Sequence, residues 1–138
     1  MQELSHLRRD GSARIVDVSG KEATLREAVA RGTVVLGDNA AKALDDDRVP
    51  KGDVYAAARL GAISAVKRTW ETIPLCHPLR IGGIDVDIQR DGGEITVTCS
   101  VRGMETTGFE MEALNGVVTA LLVFYDMTKA LDRGIEIR

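Results

Sequence analysis

Three short stretches of this chain concentrate reactive side chains beyond what packing asks of them. The first is Lys51-Gly52-Asp53, a cation and a carboxylate set around a glycine where a helix should begin. A helix N-cap needs the same carboxylate, and taken alone Asp53 reads as a cap. The second is Pro74-Leu75-Cys76-His77-Pro78. Two prolines restrict the backbone around a Cys-His pair, so this loop has little entropy to lose in holding one shape. A histidine there can donate to a phosphate or move a proton near neutral pH. Adjacent side chains point in different directions, which disfavours Cys76 and His77 as a nucleophile and its own base, and Cys76 reads as a buried structural thiol. The third stretch is Tyr125-Asp126-Met127-Thr128-Lys129. Asp126 and Lys129, three positions apart, share one helical face. Exposed, such a pair is worth little. Desolvated at a site, it gives a lysine tuned for proton transfer and a carboxylate that holds it.

The elements that must position these groups follow from periodicity. From Gly52 to Thr72 proline is absent and alanine abundant, and Val54, Ala58, Gly61, Ala62, Ala65, Val66 and Trp70 form a helical stripe that Pro74 ends. Its small residues allow close approach to a sheet or another subunit. A second long helix is expected from Phe109 to about Leu131. Thr107-Gly108-Phe109-Glu110 has the spacing of a capping box, and Leu114, Val117, Val118, Leu121, Leu122 and Tyr125 form the expected buried stripe. Between the helices, Ile84, Val86 and Ile88, then Ile95, Val97, Cys99 and Val101, alternate with polar residues around Gly92-Gly93. That pattern predicts a hairpin with one buried face, Cys99 included.

Upstream, Ala13–Ser19 reads as a strand, Ala23–Arg31 as a short helix closed by Gly32, Thr33–Leu36 as a strand and Asn39–Leu44 as a helix. Asp45–Asp47 with Pro50 reads as a solvated linker, and Ile135–Arg138, after Gly134, as the start of a final strand. The sum is an α+β fold, best matched by a ferredoxin-like arrangement: a mostly antiparallel sheet with helices packed on one face.

Composition narrows the function classes. At 138 residues and 44% hydrophobic content the chain is read as one domain, 1–138. Its longest uncharged apolar run, Val117–Tyr125, falls far short of the roughly 20 residues of a membrane-spanning helix. Met1–Arg9 is polar and lacks an apolar signal core, so a cytoplasmic protein without membrane contact is expected. A net charge of −3 gives no broadly basic surface for nucleic acid, so an anionic ligand needs a local cluster of cations. The two cysteines, Cys76 and Cys99, have no zinc-cluster spacing.

Taken together, the motifs resemble a known family. KGDVYAAARLGAISAVKRTWETIPLCHPL, 51–79, is similar in content and spacing to the signature of the molybdenum cofactor biosynthesis protein C family, the cyclic pyranopterin monophosphate synthases. TTGFEMEAL, 106–114, with VFYDMTKA, 123–130, resembles its second signature, and Ile15–Ser19 resembles a further motif. The resemblance spans nearly the whole chain. It implies a lyase that rearranges 3′,8-cyclo-7,8-dihydroguanosine 5′-triphosphate to cyclic pyranopterin monophosphate and pyrophosphate. It assigns acid-base roles to Lys51 and Lys129, an active-site carboxylate to Asp126, and substrate contacts to Leu75, Cys76, His77, Met111 and Glu112. Lys67 and Arg68 fall where phosphates would be held. No metal or redox cofactor is required for the chemistry it implies, although Mg2+ can accompany the triphosphate or pyrophosphate.

The sequence departs from the family pattern in two places. Asn115-Gly116 replaces a Thr-Ala-like pair, and Arg138 stands where the family usually continues into a basic tail containing glycine and serine. The resemblance further implies a homo-oligomer, a hexamer built as three dimers, with sites at the dimer interface. Helix geometry agrees: Glu112 and Asp126, fourteen positions apart, would lie roughly 21 Å apart on one helix, too far for one nucleotide to bridge. Two other readings compete. A noncatalytic ferredoxin-like module that binds a small ligand has no need of two lysines converging on a carboxylate. A Cys76-dependent hydrolase requires a histidine facing that sulfur.

Overall fold

The computed structural model describes residues 5–138. Four of the first nine positions, 1–4, thus lie outside the described residues, and with them part of the segment read as lacking a signal core. The elements run β1 (Thr24–Val35), α1 (Asp38–Asp45), α2 (Val54–Lys67), α3 (Thr69–Thr72), β2 (Gly83–Asp91), β3 (Glu94–Glu105), α4 (Glu110–Thr128) and β4 (Glu136–Ile137). The four strands form one antiparallel sheet in the order β2-β3-β1-β4. Read along the chain this is the split βαβ–βαβ arrangement of ferredoxin-like folds, with α2 and α4 laid on one face. The α+β expectation holds.

The hairpin of β2 and β3 forms as its alternation predicts. Ile95, Val97, Cys99 and Val101 are fully buried, and they belong to one face of β3. α1 also forms where expected, and Asp45–Asp47 leads out of it into exposed turns.

The largest correction concerns residues 23–31, read as a helix. All but Ala23 belong to β1, which pairs with β3 without a break from Thr24↔Glu105 to Val35↔Glu94. The strand read at Thr33–Leu36 is only its last quarter, Thr33–Val35, with Leu36 just beyond it. Leu25, Arg26, Glu27, Ala28 and Ala30 favour helices in isolation, but twelve consecutive ladder positions and burial of alternate residues outweigh a preference of tenths of a kcal/mol per residue. Gly32 is accordingly no helix cap. A Cβ there would lie 2.8 Å from Val117 and 2.9 Å from Leu121, so the missing side chain lets α4 cross the sheet closely.

Ala13–Ser19, read as a strand, joins no sheet. Only an isolated bridge, Leu7↔Ala13, forms there, and Ile15 is exposed. The β-branched run makes an extended arm instead, held by local turns in which Asp10 and Asp17 accept from Ser12 and Ser19. Its destination is the cleft described below.

The helix expected from Gly52 to Thr72 breaks at Arg68, where the Thr69 hydroxyl donates to the carbonyls of Ala65 and Val66. Trp70 therefore leaves the stripe and is exposed, whereas Val54, Ala58, Ala62 and Val66 are buried as expected. The capping box at Thr107 is not made. Phe109, fully buried, occupies the N-cap position of α4, and no side chain caps it.

The stripe on α4 also needs correction. Val117 and Leu121 are buried, but Leu114, Val118, Leu122 and Tyr125 are 40–52% exposed. The inward face is built from Ala113, Gly116 and Ala120 with Val117, Leu121 and Phe124. Small residues let α4 sit tightly on α2 and the sheet, so its large apolar residues on the outer side find no cover within the chain. At Gly116 a Cβ would meet Val66 at 2.8 Å and the Cys99 sulfur at 2.9 Å. Beside it, the Asn115 amide donates to the Ala65 carbonyl at 3.0 Å, joining the two helices. Gly116→Val should consequently cost about 1–3 kcal/mol of stability by overpacking this junction, read as a fall in melting temperature. An unchanged melting temperature would mean that α2 and α4 do not meet as closely as described.

Candidate active site

Because α2 and α4 run antiparallel, the residue just before one helix meets the last turn of the other. Asp53 caps α2 by accepting the Ala56 amide at 3.1 Å, as its position suggested. Gly52, at φ +105°, makes the turn that presents Lys51. The Lys51 ammonium lies 3.0 Å from Asp126 Oδ2, and the Lys129 ammonium 3.0 Å from Asp126 Oδ1. One carboxylate thus holds two lysines. Hydrogen bonds from Lys129 first, then Lys51, keep the Asp126 carboxyl below the usual aspartate range, so it is an anion at neutral pH. All three side chains are about half exposed within one chain.

The other end of α4 borders a cleft of about 290 Å³. Leu75, Cys76 and His77 line it from the proline-flanked loop, and Met111 and Glu112 from the first turn of α4. All five residues expected to touch substrate therefore share one cavity. Its remaining wall comes from Leu79, from Thr107, Gly108 and Glu110, and from the N-terminal arm, through Ser5, His6, Val16, Val18 and Lys21. None of these was named as a site residue from the sequence. The signal available was the motif at Ile15–Ser19, whose hydrophobic run resembled a core strand.

Glu112 is the unusual group of the cleft. It is only 4% exposed, and no other residue donates a hydrogen bond or forms an ion pair to its carboxyl among the described residues. No fully buried side-chain oxygen lacks a partner among the described residues, and Glu112 lines the cleft, so its carboxyl is reachable from there. Burial, with a smaller contribution from the nearby Glu110, raises its pKa above the ordinary glutamate value. Cys76 is half-buried rather than buried, and burial, then the Glu112 charge, raises its pKa as well. No hydrogen bond links Cys76 to His77 among the described residues. A thiol that holds its proton more tightly than usual is a weaker nucleophile, which counts against the hydrolase reading.

Lys67 and Arg68, expected to hold phosphates, are exposed at the C-terminal end of α2, and neither lines the cleft. Arg68 instead borders a shallow groove between α2 and α4 with Ser64, Thr72, Asn115 and Thr119. The Lys51–Asp126–Lys129 cluster and the Cys76–His77–Glu112 cleft stand at opposite ends of α4, with a separation of roughly 21 Å along its axis from Glu112 to Asp126.

The arrangement defines a ferredoxin-like α+β protein with a carboxylate-bridged lysine pair at one end of its long helix and a small-molecule cleft at the other. The MoaC family model matches residues 15–138, and the chain belongs to that family. It is 48% identical to a cyclic pyranopterin monophosphate synthase of Novosphingobium aromaticivorans, over 99% of this chain and 87% of that relative. It is likewise 48% identical to a protein of that name from Pelotomaculum thermopropionicum, over 99% of this chain and 82% of the relative. A probable cyclic pyranopterin monophosphate synthase of Natronomonas pharaonis is 46% identical over 97% of this chain and 84% of its own length.

The buried carboxyl of Glu112 has a measurable signature. Its raised pKa means that the folded state binds more protons than the unfolded state between the ordinary glutamate value and the raised one, so stability falls as pH rises through that window. Glu112→Gln should remove this slope and raise the melting temperature at neutral pH while weakening ligand binding in the cleft. A lower melting temperature in the glutamine variant would show that the carboxylate is compensated in the fold.

Proposed function

We infer that this chain is a cyclic pyranopterin monophosphate synthase, a lyase of molybdenum cofactor biosynthesis. Its substrate is 3′,8-cyclo-7,8-dihydroguanosine 5′-triphosphate, and its products are cyclic pyranopterin monophosphate and pyrophosphate. Residues 1–138 act as one synthase domain. The observation that carries the reading is the meeting of Lys51 and Lys129 on Asp126 in a chain nearly half identical to enzymes of that name. A noncatalytic binding module would gain nothing from two lysines placed there, whereas a reaction that opens a ring, closes another and expels pyrophosphate needs groups that give and take protons. In this reading Lys51 and Lys129 are the acid-base pair, Asp126 holds their geometry, and Leu75, Cys76, His77, Met111 and Glu112 hold the ring system. The free Glu112 carboxyl suits the N–H donors of a guanine-derived ring. Lys67 and Arg68 bind phosphate oxygens outside the cleft, which at about 290 Å³ is too small for the whole nucleotide. Lysines and carboxylates suffice for the proton transfers, and any Mg2+ travels with the triphosphate or the pyrophosphate.

The reading places the site between two subunits. Leu114, Val118, Leu122 and Tyr125 lie along one exposed side of α4, with Met111 extending the row. A two-fold axis that pairs this side with its copy runs the helices antiparallel. If it passes level with residue 119, the middle of the row, it brings residue 112 level with residue 126 of the partner subunit. The same operation keeps both groups on one flank of the seam, so Glu112 of one subunit and Asp126 of its partner serve one cavity. Burial at that seam would also supply the desolvation that half-exposed Lys51 and Lys129 lack within one chain. A second apolar patch, Leu25, Val29 and Met104 on the open face of the sheet, offers the further contact by which three dimers make a hexamer. No helix among the described residues is long and apolar enough to cross a membrane. The synthase reading carries with it a cytoplasmic location and no nucleic-acid partner.

Incubation of the protein with the cyclised GTP intermediate should release pyrophosphate and cyclic pyranopterin monophosphate, and absence of both products defeats the reading. Lys51→Ala and Lys129→Ala should each abolish turnover with an unchanged fold. Cys76→Ser should stay measurably active. Glu112→Ala mixed with Lys129→Ala protein should regain partial activity once subunits exchange, because one composite site in the mixed dimer is intact. Verified exchange without recovery would rule out sharing.

A further inference from the structure

The cleft residues used above sit on two chain segments that no shared element of secondary structure holds together. One is the loop between α3 and β2, carrying Leu75, Cys76 and His77; the other leads from β3 into α4 and carries Met111 and Glu112. The loop is regular nowhere between Thr72 and Gly83. Backbone sterics seat its end: a Cβ on Gly103 would meet the Arg80 carbonyl oxygen at 2.8 Å and the Gly82 nitrogen at 2.9 Å, so only a glycine in β3 admits the loop this closely. The Gly82 amide then donates to the Arg102 carbonyl at 2.8 Å.

Two residues further along β3 stands Glu105, the last residue of the strand. Its Oε2 accepts the Arg80 amide at 2.7 Å, and its Oε1 accepts the Thr106 amide at 2.9 Å. One carboxylate therefore ties the chain three residues after His77 to the chain five residues before Met111. Among the described residues this is the only side-chain hydrogen bond to the backbone of the loop from Ile73 to Gly82. Both oxygens are occupied by backbone donors, and these bonds, the Arg80 amide first, keep the carboxyl ionised below the usual glutamate range.

We propose that Glu105 is the positioning residue of this cleft: its bidentate grip on the Arg80 and Thr106 amides sets the distance between the Cys76–His77 loop and the Met111–Glu112 turn. The proposal rests on the synthase reading for its kinetic arm and is independent of it for its spectroscopic one. Glu105 touches no cleft space and does no chemistry. It acts because two walls on separate segments bind a rigid ring well only if their spacing is fixed before the ligand arrives.

The test compares Glu105→Ala, which removes both acceptors, Glu105→Gln, which keeps one acceptor oxygen, and Glu105→Lys, which keeps a long side chain but offers only donors. With the cyclised GTP intermediate, the alanine and lysine variants should raise KM by about tenfold, because the ligand must then order the two walls itself at the expense of binding. The fall in kcat should be smaller, because Lys51, Asp126 and Lys129 are untouched, and glutamine should restore part of the KM. In 15N-resolved spectra without substrate, the alanine variant should shift His77 and Met111 amides together and leave Lys51 and Lys129 unmoved. A normal KM in the alanine variant overturns the proposal, as does a loss that follows melting temperature alone without a split between KM and kcat. If the alanine variant does not fold, the glutamine and lysine variants decide by the same split. If the wild type turns over nothing, the synthase reading fails, and the paired amide shifts still judge the clasp.

Discussion

The close approach of α2 to α4 is the constraint on which the rest depends. Helices packed through large side chains keep their axes near the upper end of the usual 8–10 Å, whereas Ala58, Gly61, Ala62 and Gly116 give these two a narrower seam. Antiparallel packing at that distance puts the turn before α2 against the last turns of α4. Lys51 meets Asp126 because of it, 75 positions apart in the chain. The Asn115 amide bonded to the Ala65 carbonyl fixes the sliding register of the pair, and with it the height at which the lysines converge.

The same packing has an opposite consequence on the outer side of α4. A helix that contacts its own fold through small residues keeps its large apolar side chains for something else, and Leu114, Val118, Leu122 and Tyr125 are left facing water. An exposed apolar row of this length is a poor surface for an isolated chain and a suitable one for a second copy. The lysine–aspartate cluster and the cleft lie at the two ends of that row. The features that hold the fold together, that leave a surface to cover and that set the two polar clusters apart are thus one arrangement of small and large residues along a single helix.

Electrostatics divides the halves in kind. At the Lys51–Asp126–Lys129 end, opposite charges satisfy one another in partial contact with water, and the carboxylate is more acidic than usual. In the cleft, burial dominates: Glu112 and Cys76 both hold their protons more tightly than usual. One half offers ammonium groups fixed by an anion, and the other a cleft whose buried Glu112 carboxyl is held by no other side chain among the described residues. A ligand with a planar hydrogen-bonding ring and an anionic tail is complementary to the sum.

The sequence by itself determined the elements whose patterns serve packing alone: the β2–β3 hairpin with Cys99 inward, the alanine-rich α2, the length of α4, and the chemical identity of both clusters. Local periodicity suffices where each residue's environment is decided by neighbours two or four positions away. Tertiary structure decided the rest. Residues 24–31 became a strand because β3 supplied a ladder that outweighs helix preference, and 13–19 became an arm because no strand edge received them. Which side of α4 faces inward depended on the small residues of α2 that it meets, a property of two segments some fifty positions apart that neither carries alone. The convergence of Lys51 with Asp126, and the opening of an unpaired Glu112 into a cleft walled by the N-terminal arm, have the same origin. Both are set by long-range contacts, whose geometry is fixed by close packing of the whole chain and leaves no period in the sequence to read.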